Sequence, residues 1–320
     1  MSTRFTKDAE EKVNPDGSNG LALPALSVVI ASVNGYRYIT QCLSALERQH
    51  LRQYAEVIVV ENSGDDTARR ISEEYPWAAV IPLSTPQPIP KLRSIGIRRA
   101  RAQIVVTTED HCVFDVHWYE RILQAHQTHR HPAIGGAVEN GSCQRLVDWA
   151  AYICEYGKFM LPFSPGPGTD LPGPNVSYKR VILEKVCGDL LTQGVWENVL
   201  HDRFGTQGLE LWMDPSIVVH HAKRFGFWEF LTQRYYFGRS FAATRVARAP
   251  LTTRMFFTAI SLLLPPLFLW RYAKFFIGKR RFIKELLVTS PLLVIFAVAW
   301  SVGEFCGYAW GDGGSSVRVK

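Results

Sequence analysis

The 320-residue chain is poor in cysteine, and none of its six cysteines forms a CxxC pair with another. Cys42, Cys112, Cys143, Cys154, Cys187 and Cys306 are scattered. That excludes a thiolate metal site of close spacing and predicts reduced thiols that serve mostly as small core residues. The stretch Met1 to Leu23 lacks the apolar core of a secretory signal; it is polar and reads as a disordered tail. No GxGxxG follows the first apolar run, which argues against a dinucleotide fingerprint. No motif interleaves basic and aromatic residues for nucleic acid, so the net charge of +7 does not mark a nucleic-acid binder. What is present is 47% hydrophobic and 20% charged. That suffices for one sizeable α/β domain plus something smaller.

The basic residues have a telling placement. Arg271, Lys274, Lys279, Arg280, Arg281 and Lys284 follow one another with no acid among them, between two apolar segments. This pattern suits an anionic membrane face. The first segment, Met255 to Trp270, holds Pro265 and Pro266 and is short against the roughly 20 residues a spanning helix needs. We expect it to dip into the membrane and return. The second, Leu286 to Gly303, either crosses once or lies at the interface. Two crossings would put the basic run on the far side, against the positive-inside tendency. The part of the chain before Met255 is therefore expected on the cytoplasmic face of the cell membrane.

The rest of the chain is organised around Ile104-Val105-Val106-Thr107-Thr108-Glu109-Asp110-His111. A buried strand ends there in two carboxylates and an imidazole, at the edge where open α/β sheets bind ligands. Glu109 and His111 can both reach one cation; the plainer alternative is an ordinary surface charge pair. Strand and helix alternate before it: a strand at Leu26–Ala31, a helix at about 38–48, a strand at Glu56–Val60 and a helix to about Glu74. This rhythm implies a parallel sheet with right-handed crossovers. Asn34, Glu61 and Glu109 each follow a strand's carboxyl end and should gather along one edge. Further strands are expected at Ala133–Glu139 and Ile217–His221, with an amphipathic helix from Phe227 to about Thr244.

The order of these motifs resembles the family-2 glycosyltransferases over roughly Leu26 to Arg245. Ser27 to Asn34 looks like the family's opening strand and turn, and Val59-Val60-Glu61-Asn62 like its second-strand acidic turn with Glu in place of Asp. Arg93-Ser94-Ile95-Gly96 is similar to its Arg-Asn-x-Gly segment. Thr108-Glu109-Asp110-His111 takes the place of its Asp-x-Asp metal motif. Pro172 to Arg180 resembles its acceptor-side segment. Trp196-Glu197-Asn198 stands where a Glu-Asp pair supplies the base, and Gln233-Arg234-Tyr235-Tyr236-Phe237-Gly238-Arg239 resembles a variant of its late helix.

The resemblance implies an α/β GT-A nucleotide-sugar-binding domain, with a mostly parallel central sheet flanked by helices, plus C-terminal hydrophobic membrane helices. It divides the chain into a tail (1–24), the GT-A domain (25–245), a membrane-associated helical region (246–311) and a second tail (312–320). It implies an inverting glycosyltransferase taking a sugar from a nucleotide-sugar donor to a lipid-linked or cell-envelope glycan acceptor. Glu197 would be the catalytic base. Ala31, Ser32, Asn34, Glu61, Arg93 and Asp110 would bind the donor, with Lys91 as an alternative cation near the phosphates. Glu109, His111 and His221, or its neighbour His220, would hold a divalent metal, Mn2+ or Mg2+. The Glu and His departures from the usual motif leave open a rival, a catalytically inactive nucleotide-sugar binder at the membrane.

Overall fold

The computed structural model describes residues 23–49 and 52–320. The expected N-terminal tail falls almost wholly outside the described residues. The first strand, β1 (Leu26–Ser32), is buried along its whole length, as a central strand must be. Its side chains alternate between two cores. Val28 and Ile30 join one with Ile39, Cys42 and Leu46, while Val29 and Ala31 join the other with Leu92 and Ile97.

The helix after β1 is α1 (Tyr36–Glu47), followed by β2 (Ala55–Glu61), α2 (Thr67–Glu74), β3 (Ala78–Pro82), α3 (Ile89–Arg99) and β4 (Ile104–Glu109). These strands pair in parallel in the order β3, β2, β1, β4, as the alternation predicts. Helices α1 and α3 pack on opposite faces.

The second half of the sheet is mixed. It comprises β5 (Cys112–Phe114), β6 (Ala133–Asn140), β7 (Gly166–Gly168), β8 (Val176–Lys179) and β9 (Leu211–His221). β8 runs antiparallel to both β4 and β6, and β6 is parallel to β9. The short β5 folds back from β4 through Asp110 and His111 and pairs antiparallel with the end of β9. The expected GT-A architecture is thus present, parallel in one half and mixed in the other. The helices here are α4 (Trp118–Thr128), α5 (Leu146–Glu155), α6 (Arg180–Gln193) and α7 (Glu197–Thr206).

The last four helices are α8 (Phe227–Arg245), α9 (Leu251–Ser261), α10 (Leu264–Lys279) and α11 (Ile283–Trp310). α9 and α10 meet at a bend of 62°, at the proline-bearing segment expected to turn back. An 18-residue stretch of α11 has a mean hydropathy of 2.1, and α11 is the one described helix long and apolar enough by itself to cross a membrane. It lies along α8. Gly238 faces the Trp300 carbonyl and Gly303 faces the Tyr235 carbonyl so closely that a Cβ on either would collide with backbone. Phe230, Phe276 and Phe296 are fully buried in the core that α5, α8, α10 and α11 share. Each such ring contributes roughly 1.5–3 kcal/mol by leaving water.

Two cations of the basic run dock this assembly onto the sheet domain. Lys279 donates to the carbonyls of Lys158 and Met160, and Arg281 donates to both Glu139 oxygens at 2.8 and 3.0 Å. Lys274, Arg280 and Lys284 stay exposed. The chain then returns to the domain. Gln233 accepts from the Lys320 amide at 2.8 Å and donates to the Arg318 carbonyl at 3.0 Å.

Candidate active site

The site is built where β1, β4 and β9 end. Glu109 is the last residue of β4, so its side chain still follows the strand, and Asp110 and His111 form the turn into β5. The β5–β9 register sets Cys112 opposite His221. This brings the second histidine beside His111, with 2.8 Å between the two Nε2 atoms. Adjacent strand residues face opposite ways, so only one of the paired histidines can turn inward. It is His221, which is 3% exposed, while His220 does not line the site.

Glu109, His111 and His221 form a converging donor set. Glu109 Oε2 lies 3.1 Å from His111 Nε2 and 4.0 Å from His221 Nε2. Two donors bound to one octahedral cation at right angles stand about 3 Å apart, given bonds near 2.1 Å. One carboxylate and two imidazoles thus fit a divalent ion that accepts mixed oxygen and nitrogen ligands.

Asp110 holds this set in place. It is fully buried and accepts at 2.8 Å from the Val33 amide, the Asn34 amide, Asn34 Nδ2 and His111 Nδ1. The Nδ1 bond leaves His111 Nε2 for a cation, the arrangement that orients metal-bound imidazoles generally. Burial alone would raise the Asp110 carboxyl, but His111, Asn34 and Val33 hold it below its ordinary value. Burial would likewise raise Glu109, yet His111 and Arg93 hold it well below the usual carboxylate range. For His111, burial is outweighed by its bonds to Asp110 and Glu109, and its imidazole is raised. His221, buried beside it, is pushed well below the ordinary value.

Arg93 joins the metal set to the expected base. Its Nη2 donates to Glu109 Oε1 at 2.8 Å and its Nη1 to Glu197 Oε1 at 2.6 Å. Gly173 permits this approach, since a Cβ there would sit 2.9 Å from Arg93 Nη1 and 3.1 Å from Glu197 Oε2. Glu197 is the first residue of α7 and is buried; its Oε2 makes no hydrogen bond among the described residues.

Glu109, Asp110, His111, His221, Arg93 and Glu197 line one cavity of about 320 Å³, together with Ala31 and Asn34. Ser32 and Glu61, expected on the donor side, do not line it. Ser32 is fully buried, and Glu61 turns its carboxylate back to the amide (2.7 Å) and hydroxyl of Ser63. The short polar turn after β2 gives that carboxylate nearer donors than any ligand. Lys91 is also elsewhere, donating to the Thr192 carbonyl at 2.9 Å.

Several lining residues carry no sequence motif. Tyr156 donates to Glu109 Oε2 at 3.1 Å from the end of α5, and Glu155 and Lys223 line the wall beside it. Phe268, Tyr272 and Phe275 of α10 and Trp300 of α11 close the far end, with Arg234 from α8. The only signal for Arg234 was its place in the Gln-Arg helix motif.

Comparison with known proteins agrees with this fold. The sequence model of "Glycosyl transferase family 2" matches residues 27–187, half of the chain. A mannosyltransferase from Pyrobaculum calidifontis, solved with GDP-Man and Mn2+, superposes with a TM-score of 0.55 at 16% identity. The match covers 89% of this chain and 88% of that one. GalNAc-T7, solved with UDP, GalNAc and Mn2+, gives a TM-score of 0.51 at 16% identity. There the match covers 63% of this chain but only 44% of the longer relative. At such identities the likeness establishes the fold alone. No curated protein sequence matches the chain.

Proposed function

The chain belongs to glycosyl transferase family 2, and from that premise we propose that it is an inverting transferase working at a membrane surface. It takes a sugar from a nucleotide-sugar donor to a hydroxyl of a lipid-linked or cell-envelope glycan acceptor. The observation that carries this reading is one cavity shared by two chemistries: the Glu109, His111, His221 and Glu197 cluster, and an aromatic wall from α10 and α11.

Direct displacement accounts for inversion. The acceptor oxygen forms a bond to the anomeric carbon as the bond to the diphosphate breaks, and that electron pair leaves with the diphosphate. Glu197 takes the proton of an acceptor hydroxyl at Oε2, because Oε1 is committed to Arg93. Glu109, His111 and His221 would hold Mn2+ or Mg2+, which when bound supplies positive charge against the departing diphosphate. Asp110 keeps His111 aimed, and Ala31 and Asn34 border the donor.

The apolar helices support the membrane setting. Leu267, Trp270, Leu287, Val294, Val298 and Trp310 present exposed apolar surface along α10 and α11. Patches of this extent mark interaction surfaces, and exposed tryptophans suit the headgroup level. α11 lies in the interface rather than across it. α8 accompanies it from Phe296 to Tyr308 and carries Arg234, Arg239 and Arg245, too costly to take through lipid. A cysteine label at Gly278 reachable only from the face opposite Glu197 would overturn this.

The deciding experiment is hydrolysis of a panel of UDP-, GDP- and dTDP-sugars by the full chain in detergent, with Mn2+, Mg2+ or chelator. Metal-dependent release of one nucleotide is expected. Equal release in excess chelator would remove the metal set. The 2.6 Å grip of Arg93 on Glu197 is the one observation that favours a binder without turnover. Tight donor binding with no transfer, even with membrane extract as acceptor, would establish that instead.

A further inference from the structure

The charged groups at the far end of the cavity lack what those at the near end have. Arg234 is 4% exposed, and among the described residues its guanidinium forms no hydrogen bond and no ion pair; Nε is buried without a partner. It lies 4.1 Å over the Trp300 ring and 5.9 Å from that of Phe230. Cation–π contact offsets only about 0.5–2 kcal/mol, while a buried unpaired charge costs several. A lysine can shed its proton, but a guanidinium cannot. Arg271, on α10, lines the same space, and both guanidinia oppose the burial that raises the Tyr272 hydroxyl. Lys223 lines the same cavity, with a single hydrogen bond, to the Lys320 carbonyl at 3.0 Å.

Glu155 and Glu304 lie near enough to feel the charge of Arg234, but neither forms an ion pair or a hydrogen bond with it. Glu109 already accepts from Arg93 and Tyr156, and Asp110 has its four donors. Glu155 lines the wall without forming an ion pair. The guanidinium donors are thus left for the anion of a ligand. Its surroundings describe the rest of that ligand: Phe268, Tyr272, Phe275 and Trp300 around the charge, with exposed Leu267 and Trp270 leading outward on α10.

We propose that Arg234 and Arg271 bind the phosphate of an amphiphilic acceptor, a prenyl-phosphate-like molecule whose apolar chain leaves along α10. The inference rests on the transferase reading for the meaning of the cavity. The same cations could in principle serve a donor's diphosphate, and the test separates the two sources.

The experiment measures binding of farnesyl phosphate, farnesol, UDP and GDP, the nucleotides with Mn2+, to the detergent-purified full chain. Wild type, Arg234→Gln and Arg234→Lys are compared, with thermal unfolding as the folding control. The expected result is farnesyl phosphate binding that exceeds farnesol binding at least tenfold. It should weaken about ten- to a hundred-fold in Arg234→Gln and less in Arg234→Lys, the scale of a charge-assisted hydrogen bond. Nucleotide affinity should stay within about twofold. Equal loss of nucleotide affinity would assign the cations to the donor and overturn the proposal, as would farnesol binding as tightly as farnesyl phosphate. If Arg234→Gln does not fold, the exposed Arg271→Gln must weaken farnesyl phosphate several-fold; no change would overturn it. Wild type that binds farnesyl phosphate but no nucleotide would keep the anion site and discard the transferase reading. Donor turnover without farnesyl phosphate binding would do the reverse.

Discussion

The two ends of the cavity solve the problem of buried charge in opposite ways. At the sheet end the ionised groups have partners within the protein: Arg93 lies between Glu109 and Glu197, and Asp110 collects four hydrogen bonds. At the helical end Arg234 is equally buried and packs on aromatic rings, with no acid in hydrogen-bond contact. A saturated network holds its geometry before any ligand arrives, which suits groups that must be aligned for chemistry. An unsatisfied cation is a standing cost that a ligand relieves, which suits recognition. The comparison separates groups preorganised for reaction from groups left open for a substrate.

That comparison can be broken most sharply at the base. Glu197→Gln should lower sugar transfer by about 10²–10⁴-fold and leave donor binding in place, read by transfer assay and nucleotide titration. Full activity would show that the proton goes elsewhere. Next in size is Asp110→Asn. If Asp110 aims His111, Mn2+ affinity should fall about 10- to 100-fold in a metal titration, with the protein still folded. An unchanged affinity would reduce Asp110 to a structural role.

The junction between the two ends depends on α8 lying against α11. Gly303→Leu forces a side chain into the Tyr235 carbonyl and should cost roughly 1–3 kcal/mol. A melting temperature equal to wild type would mean the helices are not held this closely. The smallest effect concerns Glu155. Burial raises its carboxyl, Arg234 draws it down and Glu109 pushes it up, and it stands at about 7. An unfolded Glu titrates near 4.3, so the folded state binds its proton more tightly. The stability this contributes is complete below about pH 4 and lost as pH rises to about 7. Glu155→Gln should therefore melt above wild type at pH 8, with the gap shrinking towards pH 4. A constant gap across that range would place the titration elsewhere.

Much of this was legible in the chain. The alternation in Leu26–Ala31, Glu56–Val60 and Ile104–Thr107 names three adjacent parallel strands, because side chains buried on both faces must all be apolar. The Glu109-Asp110-His111 turn could be marked as a site because carboxylates at a strand end are otherwise expensive. By contrast, α5 and α6 carry no motif, and neither was expected. With α5 unread, Tyr156 and Glu155 went unread too. Glu61 lies outside the cavity, because a sequence shows a carboxylate at a strand end but not that Ser63 will satisfy it. Arg93 was expected to face phosphate; its two carboxylate partners lie 16 and 104 residues away.

The sequence by itself determined the strand–helix alternation of the first half, the family and the acidic turn, since these follow from local periodicity and short-range motif spacing. It also determined that an apolar region closes the chain. Only the tertiary structure decided that His221 and not His220 joins His111, because the β5–β9 register selects which side chain turns inward. Only the packing of α11 on α8 decided that Arg234 is buried with its guanidinium donors unpaired. Both outcomes depend on long-range pairing, where the partner of a charge is fixed by which surfaces meet and not by which residues are neighbours in the chain.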